Sequence, residues 1–567
     1  VHPSPDDRRA SYEKALAKLQ ADEVVRRIWR RDHTVWSDSP DEIANRLGWL
    51  DLPESMAADV VCISTLRDEL RGLGWDRAVL LGMGGSSLAP ELFARTFPGD
   101  GRLTLSVLDS TDPAAVLAVD RSVDYTKTLF IVATKSGSTA ETVSLFKYFY
   151  GRARDEVGEE AASHFAAITD PGSALAETAD DLGFRATFLN DPDLGGRFSA
   201  LSFFGLVPAG LIGVDLEGLL TRAIDASNGC GPDVPIEENP AALLGAFLGA
   251  HAMEGWNVLR LAMSPSVAGF ADWVEQLLAE STGKDGRGIV PVPVVRPLEA
   301  VRKTDRWMLA EMHVEGEQQS TLRGVDWSFV PKAQLALSDP YDVGGQFFIW
   351  EMATAVAGHI LGIHPFNQPN VESAKVRARE VAEAYRRDGS LPELEPAFTD
   401  GGISVFGDAA DESIDELRER FSEVGVPSRS SEDSDMPYRY AAFQVYLPPT
   451  ARHDELLEAL WERWARTLCL PVTVSYGPRF LHSTGQLHKG DAGKGLFFQI
   501  TADHAEDVPI PDDPGSKSCT LSFGTLIDAQ AMGDMQALED AGRTVVRFHL
   551  GSDVEGGLRR LAGIDAA

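Results

Sequence analysis

Cysteine is scarce in this chain, and the few cysteines form no recognisable pattern. There are four among 567 residues, and their positions fit neither a zinc-ligand spacing nor a disulfide framework. They are Cys62, Cys230, Cys469 and Cys519. We therefore predict four small buried residues, no metal and a reducing, cytoplasmic location.

Positive charge is also in short supply. The chain has 52 Lys and Arg residues against 86 Asp and Glu residues, which gives a formal net charge of −34. Such a chain is not suited to binding nucleic acid or another polyanion over a broad surface. An anionic metabolite would need a local pocket of backbone N–H groups and a few selected cations.

Long apolar runs are missing as well. No stretch reaches the roughly 20 apolar residues that span a bilayer, so we predict no membrane partner. The opening residues, VHPSPDDRRASYEKAL, lack the apolar core of a signal peptide. The chain begins with Val1 rather than Met, which indicates a fragment or a processed chain.

The length and the order of the patterns predict several α/β lobes. A chain of 567 residues exceeds what one core normally supports. Short β-rich runs alternate with amphipathic helical patterns, which is typical of parallel sheets covered by helices. The predicted parts are a helical segment at 1–50, lobes at 51–235 and 236–390, a linker at 391–438 and a third α/β lobe at 439–567.

The third lobe looks like a partial repeat of the second. In the second lobe, NVLRLAMSP, a helix and GIVPVPVV follow one another. In the third, AAFQVYLPPT, a helix and VTVSYG follow in the same order. The match lies in pattern more than in identity, and it predicts two copies of one α/β unit.

The first lobe contains a glycine- and serine-rich turn. The predicted strand AVLLGM runs into Gly84, Gly85, Ser86 and Ser87, and a helix starts near Pro90. Paired glycines allow close backbone approach, and a helix N-terminus offers free N–H groups to an anion. The spacing is neither a dinucleotide fingerprint nor a P-loop. A tight turn with a capping serine explains it equally well.

A second turn in the same lobe is more specific. The predicted strand FIVAT ends in Thr134, Lys135, Ser136, Gly137, Ser138 and Thr139, and a helix begins near Ala140. Four hydroxyls, a lysine and a glycine at a helix N-terminus suit a phosphate group. A capping box accounts for one or two of the hydroxyls, but hardly for four with a lysine.

Two such turns in one α/β unit resemble the sugar isomerase (SIS) domain, which holds phosphosugars in this way. The resemblance implies a sugar-phosphate ligand. It does not fix a reaction, because SIS domains serve enzymes and regulators alike.

Four further stretches carry polar residues in distinctive settings. They are LGGRFSALSFFGL with Arg197, LLAESTGKDGRG with Glu280, HPFNQPNVESAKVRA with Gln368 and Lys375, and FLHSTGQLHKG with His482. Ordinary explanations are a solvated arginine in a turn and a lysine on an exposed helix face. A glutamate at the C-terminus of a helix opposes the helix dipole, so the position of Glu280 needs another reason.

Together these motifs resemble the phosphoglucose isomerase family. Its members show a GxGGS turn, an SK-hydroxyl loop, GGR followed by Ser, a GES-type loop, an HSxGQ loop and an NPFDQPGVExxK-type helix. The motif sequences are most similar to those in the isomerase half of fused transaldolase/phosphoglucose isomerase proteins, although no transaldolase sequence is present. The resemblance implies tandem SIS-type three-layer αβα lobes with parallel sheets, here with a third α/β lobe, and fusion to or association with transaldolase.

The resemblance also implies an activity and a set of residue roles. The reaction is the reversible isomerisation of glucose 6-phosphate and fructose 6-phosphate through a cis-enediolate. No metal or redox cofactor is called for, because the net change is a proton transfer. The implied contacts to phosphate and sugar are Gly85, Ser86, Thr134, Lys135, Ser136, Thr139 and Gln368.

The implied catalytic residues divide the chemistry among them. Glu280 moves a proton between C1 and C2, and Arg197 stabilises the negative charge of the enediolate. Lys375 helps to open the sugar ring. His482 shuttles the ring-oxygen proton, which suits a group that titrates near neutral pH.

The order of the motifs departs from the family. HSxGQ usually follows soon after the catalytic Glu and precedes the Lys-bearing helix, whereas here it appears only in the third lobe. In the family's dimers the His comes from the neighbouring subunit. We hypothesise that the third lobe replaces that neighbour and supplies His482 within one chain, so that a monomer suffices. Supply of His482 across a homodimer is the open alternative, and His488 is interpreted as a solvated or supporting residue.

Two other functions stay open at this point. One is dual activity on mannose 6-phosphate, which depends on small differences in the pocket. The other is a catalytically silent sugar-phosphate sensor that keeps only the phosphate-binding turns. The presence of Glu280, Arg197, Lys375 and His482 together argues against the sensor.

Overall fold

The computed structural model describes residues 6–97, 103–294, 306–318, 329–424 and 438–564. The chain opens with helices α1 (Asp6–Ala21), α2 (Val24–Trp29), α3 (Leu52–Ser55) and α4 (Val60–Gly72). On α2 the apolar side chains of Val24, Val25 and Ile28 are buried. The helical character predicted for the first 50 residues is seen in α1 and α2.

The first sheet contains five parallel strands in the order β2-β1-β3-β4-β5. They are β1 (Arg77–Gly82), β2 (Thr104–Leu108), β3 (Thr128–Ala133), β4 (Phe165–Thr169) and β5 (Ala186–Leu189). The helices between them in the chain are α5 (Leu88–Thr96), α6 (Pro113–Ser122), α7 (Ala140–Val157) and α8 (Ala174–Leu182). The strands predicted at AVLLGM and FIVAT are confirmed as β1 and β3. The strand order reverses between β1 and β3, and ligands of such sheets bind at the carboxyl ends of the strands there.

The second sheet contains four parallel strands in the order β7-β6-β8-β9. Helices α9 (Phe203–Leu211), α10 (Leu216–Gly229) and α11 (Pro240–Met253) precede it. Its elements are β6 (Val258–Met263), α12 (Phe270–Thr282), β7 (Val290–Pro293), β8 (Trp307–Val314), β9 (Lys332–Leu337) and α13 (Val343–Leu361). The sequence predicted β6 and β7 but not β8 and β9, whose apolar residues alternate with half-buried or exposed ones.

The third sheet has six strands in the order β10-β11-β17-β14-β12-β13. Its strands are β10 (Phe398–Asp400), β11 (Ile403–Gly407), β12 (Tyr440–Tyr446), β13 (Val472–Tyr476), β14 (Gly495–Thr501) and β17 (Thr544–His549), and β15 (Pro509–Ile510) and β16 (Leu521–Ser522) form a separate pair. The accompanying helices are α14 (Pro369–Asp388), α15 (Ile414–Val424), α16 (Ala451–Leu468), α17 (Gly485–Gly490), α18 (Phe523–Asp540) and α19 (Val554–Ala562).

The predicted repeat is confirmed at the level of topology. The parallel order β13-β12-β14-β17 reproduces the order β7-β6-β8-β9 strand for strand. NVLRLAM forms β6 and AAFQVYL forms β12, while GIVPVPVV and VTVSYG supply β7 and β13. The α/β fold class with parallel sheets is likewise confirmed, with β10 and β11 as antiparallel additions.

Two predictions need correction. The stretch predicted as a linker contains β10, β11 and α15, and β11 pairs with β17. That part is folded because apolar side chains of β11 and α15, among them Val405 and Leu417, are buried in the core of this unit. Residues 425–437 of the predicted linker lie outside the described residues. Among the cysteines only Cys230 is buried. Cys62 and Cys519 are exposed and Cys469 is intermediate.

The chain forms two compact units. The first comprises Val1–Asp109, Val123–Phe146 and Arg152–Gln368, and the second comprises Ser110–Ser122, Lys147–Gly151 and Pro369–Ala567. The first has its own apolar core, with Trp49, Trp273 and Trp350 fully buried, and the second has another around Trp464. The sequence-derived lobe boundaries at 50, 235 and 390 stay predictions. Within the described ranges no helix has both the length and the apolarity to cross a membrane.

Candidate active site

Two loops begin side by side in the first unit. Gly82, the last residue of β1, pairs with Ala133, the last residue of β3. The glycine-serine turn and the TKSGST turn therefore leave adjacent strands at the same edge of the sheet. Gly84–Ser86 form a single 3-10 turn that leads into α5. The two turns that the sequence singled out thus occupy the position where ligands bind in open parallel sheets.

The TKSGST loop gathers its hydroxyls in pairs. The side-chain oxygens of Thr134 and Thr139 are 2.9 Å apart, and those of Ser136 and Ser138 are also 2.9 Å apart. Thr139 is the N-cap residue of α7, but its side chain makes no capping hydrogen bond. The simple capping explanation therefore fails at Thr139. Gly137 has φ +71°, and a Cβ there would lie 2.5 Å from the backbone nitrogen of Leu175, so this position requires glycine.

Lys135 is held at the base of this loop. Its ammonium contacts the carboxylate of Asp170 and donates to the carbonyl of Pro192 at 2.9 Å. Burial raises the pKa of Asp170, and the Lys135 charge opposes that rise. The position of the ammonium is thus fixed by a carboxylate and a carbonyl outside the loop.

Arg197 is buried, with 3% of its surface exposed. Its Nε donates to Ser281 Oγ at 2.7 Å and one terminal nitrogen to Gln368 Oε1 at 2.8 Å. The other terminal nitrogen donates to the carbonyls of Pro365 and Asn367 at 2.7 and 3.1 Å. The interpretation of Arg197 as a solvated turn residue is wrong, because these long-range partners enclose the whole guanidinium.

Glu280 completes this arrangement from the last turn of α12. Its Oε1 lies 2.9 Å from a terminal nitrogen of Arg197, and its Oε2 accepts from Gln276 at 3.1 Å. The ion pair explains why a carboxylate is tolerated at a helix C-terminus, where the dipole disfavours it. A carboxylate has about four lone-pair sites, so these two contacts leave sites for a further partner.

A second cation lies in the same region. Lys284 is 2% exposed, and its ammonium donates to the carbonyl of Asn367 and, at 3.0 Å, to the Asn367 side chain. Burial is the main cause that lowers its pKa well below the usual range; the Arg197 charge lowers it further and Glu280 opposes this. Arg197, Glu280 and Lys284 thus form a buried group with two basic residues and one acidic residue, which suits a site where negative charge develops.

The glycine-serine turn directly contacts the turn of Arg197. A Cβ built on Gly85 would lie only 2.0 Å from the carbonyl oxygen of Gly196. The two backbones therefore touch at a point where only glycine fits. Residues of the predicted phosphate-binding turn and of the Arg197–Glu280 pair are parts of one local structure.

Comparison with known proteins agrees with this geometry. The phosphoglucose isomerase family model matches residues 71–288. A glucose-6-phosphate isomerase of Thermus thermophilus is 30% identical over 387 residues, which cover 60% of this chain and 91% of that protein. The chain belongs to the phosphoglucose isomerase family. Glucose-6-phosphate isomerase of Parabacteroides distasonis is 29% identical over 385 residues, which cover 58% of this chain and 85% of that protein.

A solved structure shares the fold. A hypothetical protein from Thermus thermophilus superposes with a TM-score of 0.57 and 25% identity, covering 67% of this chain and 99% of that one. The range matched by the family model contains both glycine- and hydroxyl-rich turns, Arg197 and Glu280. It ends before Lys375 and His482. The roles of all the predicted site residues, Arg197 and Glu280 included, stay predictions.

Lys375 and His482 belong to the second unit, whereas the other predicted site residues belong to the first. Lys375 lies in α14, which begins at Pro369 as predicted, and its side chain is partly buried. His482 ends a short 3-10 turn, Arg479–His482, and is also partly buried.

The interpretation of His488, in the same stretch, as a solvated residue needs correction. It is 3% exposed and lies between the rings of Tyr440, Phe480 and Phe497. Burial lowers the pKa of His488 well below the usual range, and the neighbouring Lys489 and Arg543 charges lower it further. It is a neutral residue of the interior rather than a solvated one.

Sequence reasoning missed Asp170, Gln276, Ser281 and Lys284. A signal existed for Gln276, since it lies four residues before Glu280 and thus on the same helix face. Asp170 follows a predicted strand whose carboxyl end lies at the ligand-binding edge of the sheet. Nothing local marked Ser281 and Lys284, because only the packing around Arg197 gives them a role.

Proposed function

We propose that this chain interconverts glucose 6-phosphate and fructose 6-phosphate by moving one proton between C1 and C2. Membership of the phosphoglucose isomerase family supports the reaction. The observation that carries the proposal is the buried Arg197–Glu280 ion pair. The turn that contains Arg197 contacts the glycine-serine turn. The ion pair combines a carboxylate base with a fixed cation in a region of low dielectric, which the chemistry requires.

In this proposal the phosphate binds to the two loops of the first unit. Ser136, Ser138 and Thr139 offer hydroxyl donors, and Lys135 supplies the positive charge. Gly85 allows the backbone to approach closely, and Ser86 adds a further hydroxyl. This local set of donors is how a chain with a net charge of −34 binds an anion.

Glu280 is the group proposed to transfer the proton. It removes the proton at C2 of the open-chain aldose and returns it to C1, while the O2 hydroxyl proton passes to O1, so the enediolate carries the charge in between. Arg197 is held by Ser281 and Gln368 and needs little reorganisation to stabilise that charge. Lys284 lies buried nearby, and its ammonium position is fixed by Asn367.

Lys375 and His482 are proposed to act in ring opening. A proton must reach the ring oxygen while another leaves the C1 hydroxyl, and an imidazole suits this exchange near neutral pH. His364 is an unsuitable substitute, although it lies in the first unit. Its Nδ1 accepts from the backbone of Phe366 and its Nε2 lies 3.0 Å from the carbonyl of Asp41.

A coupled assay of fructose 6-phosphate conversion tests the role of Glu280. Glu280→Gln should abolish isomerisation and the exchange of the C2 proton with solvent, because the amide cannot accept the proton. Glu275→Gln is the matched control on the same helix. Burial and the nearby Asp272 charge raise the pKa of Glu275 to about 8, which favours the protonated form, so its amide variant should stay active. Equal rates for the two variants would exclude Glu280 as the base.

The source of His482 can be decided by mixing variants. Glu280→Gln and His482→Ala chains that are inactive alone should stay inactive together if each chain supplies its own His482. Recovery of activity on mixing and refolding would instead show a homodimer that supplies His482 in trans. The same preparations measure activity with mannose 6-phosphate, the alternative substrate. Binding of sugar phosphate by wild type without any turnover would favour the sensor.

A further inference from the structure

Gln486 of the HSTGQ stretch makes a set of contacts that no proposed catalytic role uses. It is fully buried. Its Oε1 accepts from the backbone nitrogens of Asn370 and Val371 at 2.9 and 3.2 Å. Its Nε2 donates to Asn370 Oδ1 at 2.7 Å. One carboxamide therefore binds the first turn of α14 through three hydrogen bonds.

These contacts cap the start of α14. Pro369 opens the helix and has no N–H, so the next two N–H groups are the first that need acceptors. Those two N–H groups are the ones that Gln486 accepts. The start of α14, and hence the direction in which it runs, is set by a residue more than a hundred positions away in the sequence.

Gln486 itself is held rigidly. It lies in α17, where the buried Lys489 pairs with Asp534 and also donates to the carbonyl of Gly485 at 3.3 Å. At the same, C-terminal end of α17, Arg543 donates to the carbonyls of His488 and Lys489 at 3.0 and 2.7 Å. The short helix is thus anchored by contacts with Asp534 and Arg543, and it begins three residues after His482.

The middle of α14 is fixed by a close helix crossing in the same unit. A Cβ on Gly533 of α18 would lie 2.6 Å from the backbone nitrogen of Ala378 and 3.1 Å from the carbonyl of Ala374. Lys375 follows Ala374 directly. Two anchors, Gln486 at the start and Gly533 one to two turns later, leave the backbone at Lys375 little freedom.

We propose that Gln486 is a positioning residue that holds the helix of Lys375 in register with the loop of His482, so that both act in the ring-opening step. This inference rests on the proposed function, since it needs ring-opening roles for Lys375 and His482. Gln486 touches neither the substrate nor the proton in this account. It acts through the first turn of α14.

Three variants of Gln486 separate positioning from general stability. Gln486→Met keeps the length but removes every hydrogen bond. Gln486→Asn keeps the amide but shortens the side chain by one methylene. It replaces Gln486→Met as the test of these hydrogen bonds if the methionine variant does not fold. Gln486→Glu keeps the acceptor for both N–H groups, and a carboxylate is favoured at a helix N-terminus. Asn370 can rotate its amide and donate to that carboxylate.

The readout is the interconversion of α and β anomers of glucose 6-phosphate, followed by NMR exchange spectroscopy on the full chain. Gln486→Met and Gln486→Asn should slow enzyme-catalysed anomer exchange at least about tenfold, as expected for a misplaced catalytic group. KM for the sugar phosphate should change little, because the proposed phosphate contacts lie in the other unit. Gln486→Glu should restore most of the exchange.

Two results would overturn the inference, and they differ from a failure of the proposed function. If Lys375→Met and His482→Ala lose anomer exchange while both Gln486→Met and Gln486→Asn keep it, Gln486 has no positioning role. If Gln486→Glu is as slow as Gln486→Met while folded to the same extent, the capping contacts are not the cause. Retention of exchange by Lys375→Met and His482→Ala would refute their assigned roles first.

Discussion

Replacement of Gly85 by alanine should reduce activity through a single steric contact. The added Cβ would lie 2.0 Å from the carbonyl oxygen and 2.4 Å from the carbonyl carbon of Gly196, whereas real Cβ atoms essentially never approach closer than 3.0 Å. Both nearest atoms belong to backbone, so no side chain can rotate away. One of the two turns must therefore retreat by about 1 Å, at an overpacking cost of roughly 1–3 kcal/mol.

The retreat of either turn changes the distance between the glycine-serine turn and the turn that carries Arg197. A shift of about 1 Å at a group that stabilises the transition state costs roughly 100-fold in rate. We expect Gly85→Ala to lower kcat/KM by about that factor, through both phosphate binding and the placement of Arg197. The φ of Gly85 lies outside the left-handed region, so the effect is steric and backbone conformation contributes little.

Gly195→Ala is the matched control in the same turn as Arg197. Its Cβ would meet a ring carbon of Phe198 at 3.6 Å and a side-chain carbon of Arg46 at 3.7 Å, which are ordinary contacts. Its φ of −83° and ψ of 147° suit any residue. Steady-state kinetics with thermal unfolding decide the matter. A Gly85→Ala enzyme as active as Gly195→Ala would refute the argument that the two turns share one fixed geometry.

Three further predictions concern charged residues. Glu351 is buried without a hydrogen-bond partner for either carboxylate oxygen in the described part of the chain, and burial raises its pKa well above the usual range. The stability contributed by the protonated form is complete below the unfolded pKa of about 4.3 and is lost as pH rises. Glu351→Gln should therefore unfold at a higher temperature than wild type at pH 8. If the melting temperatures of the two proteins change equally with pH, the prediction is wrong. Lys135→Met should raise KM for glucose 6-phosphate at least about tenfold with a weaker salt dependence, because a charge-assisted contact is lost; an unchanged KM would place the phosphate elsewhere. Arg197→Lys should lower the free energy of unfolding, or raise the activation free energy, by about 3–5 kcal/mol. An ammonium cannot contact all the partners of the planar guanidinium, and Glu280 stays buried. Kinetics and a melting temperature close to those of wild type would show that the shape of the guanidinium is unimportant.

Local chemistry explains what could be predicted from the sequence. The TKSGST turn was identifiable because its hydroxyls, lysine and glycine are contiguous and follow a buried strand. The strands of the first sheet were predictable because β1, β3 and β4 are nearly uninterrupted runs of buried apolar residues. The repeat of the second and third lobes could be read from the same periodicities, and their common strand order confirms it.

Edge elements and surface residues were the weak points of prediction. β10 and β11 lie in a polar stretch, and their place in the sheet comes from backbone pairing together with only two buried apolar side chains on β11, Ile403 and Val405. Three of the four cysteines are not buried, although cysteine is usually an interior residue. The stretch around His488 resembled a polar loop, yet the rings of Phe480 and Phe497 enclose it.

The sequence by itself determined the kinds of groups available to this protein: a carboxylate, a guanidinium, a phosphate-binding loop and a histidine loop. Tertiary structure alone decided which of them meet. Arg197 and Glu280 are far apart in the sequence and become an ion pair only because α12 ends beside the turn of Arg197. Gln486 and α14 are joined in the same way across the second unit. The physical reason is that burial and charge pairing depend on distance in space, and the chain brings such residues together only when its sheets and helices pack.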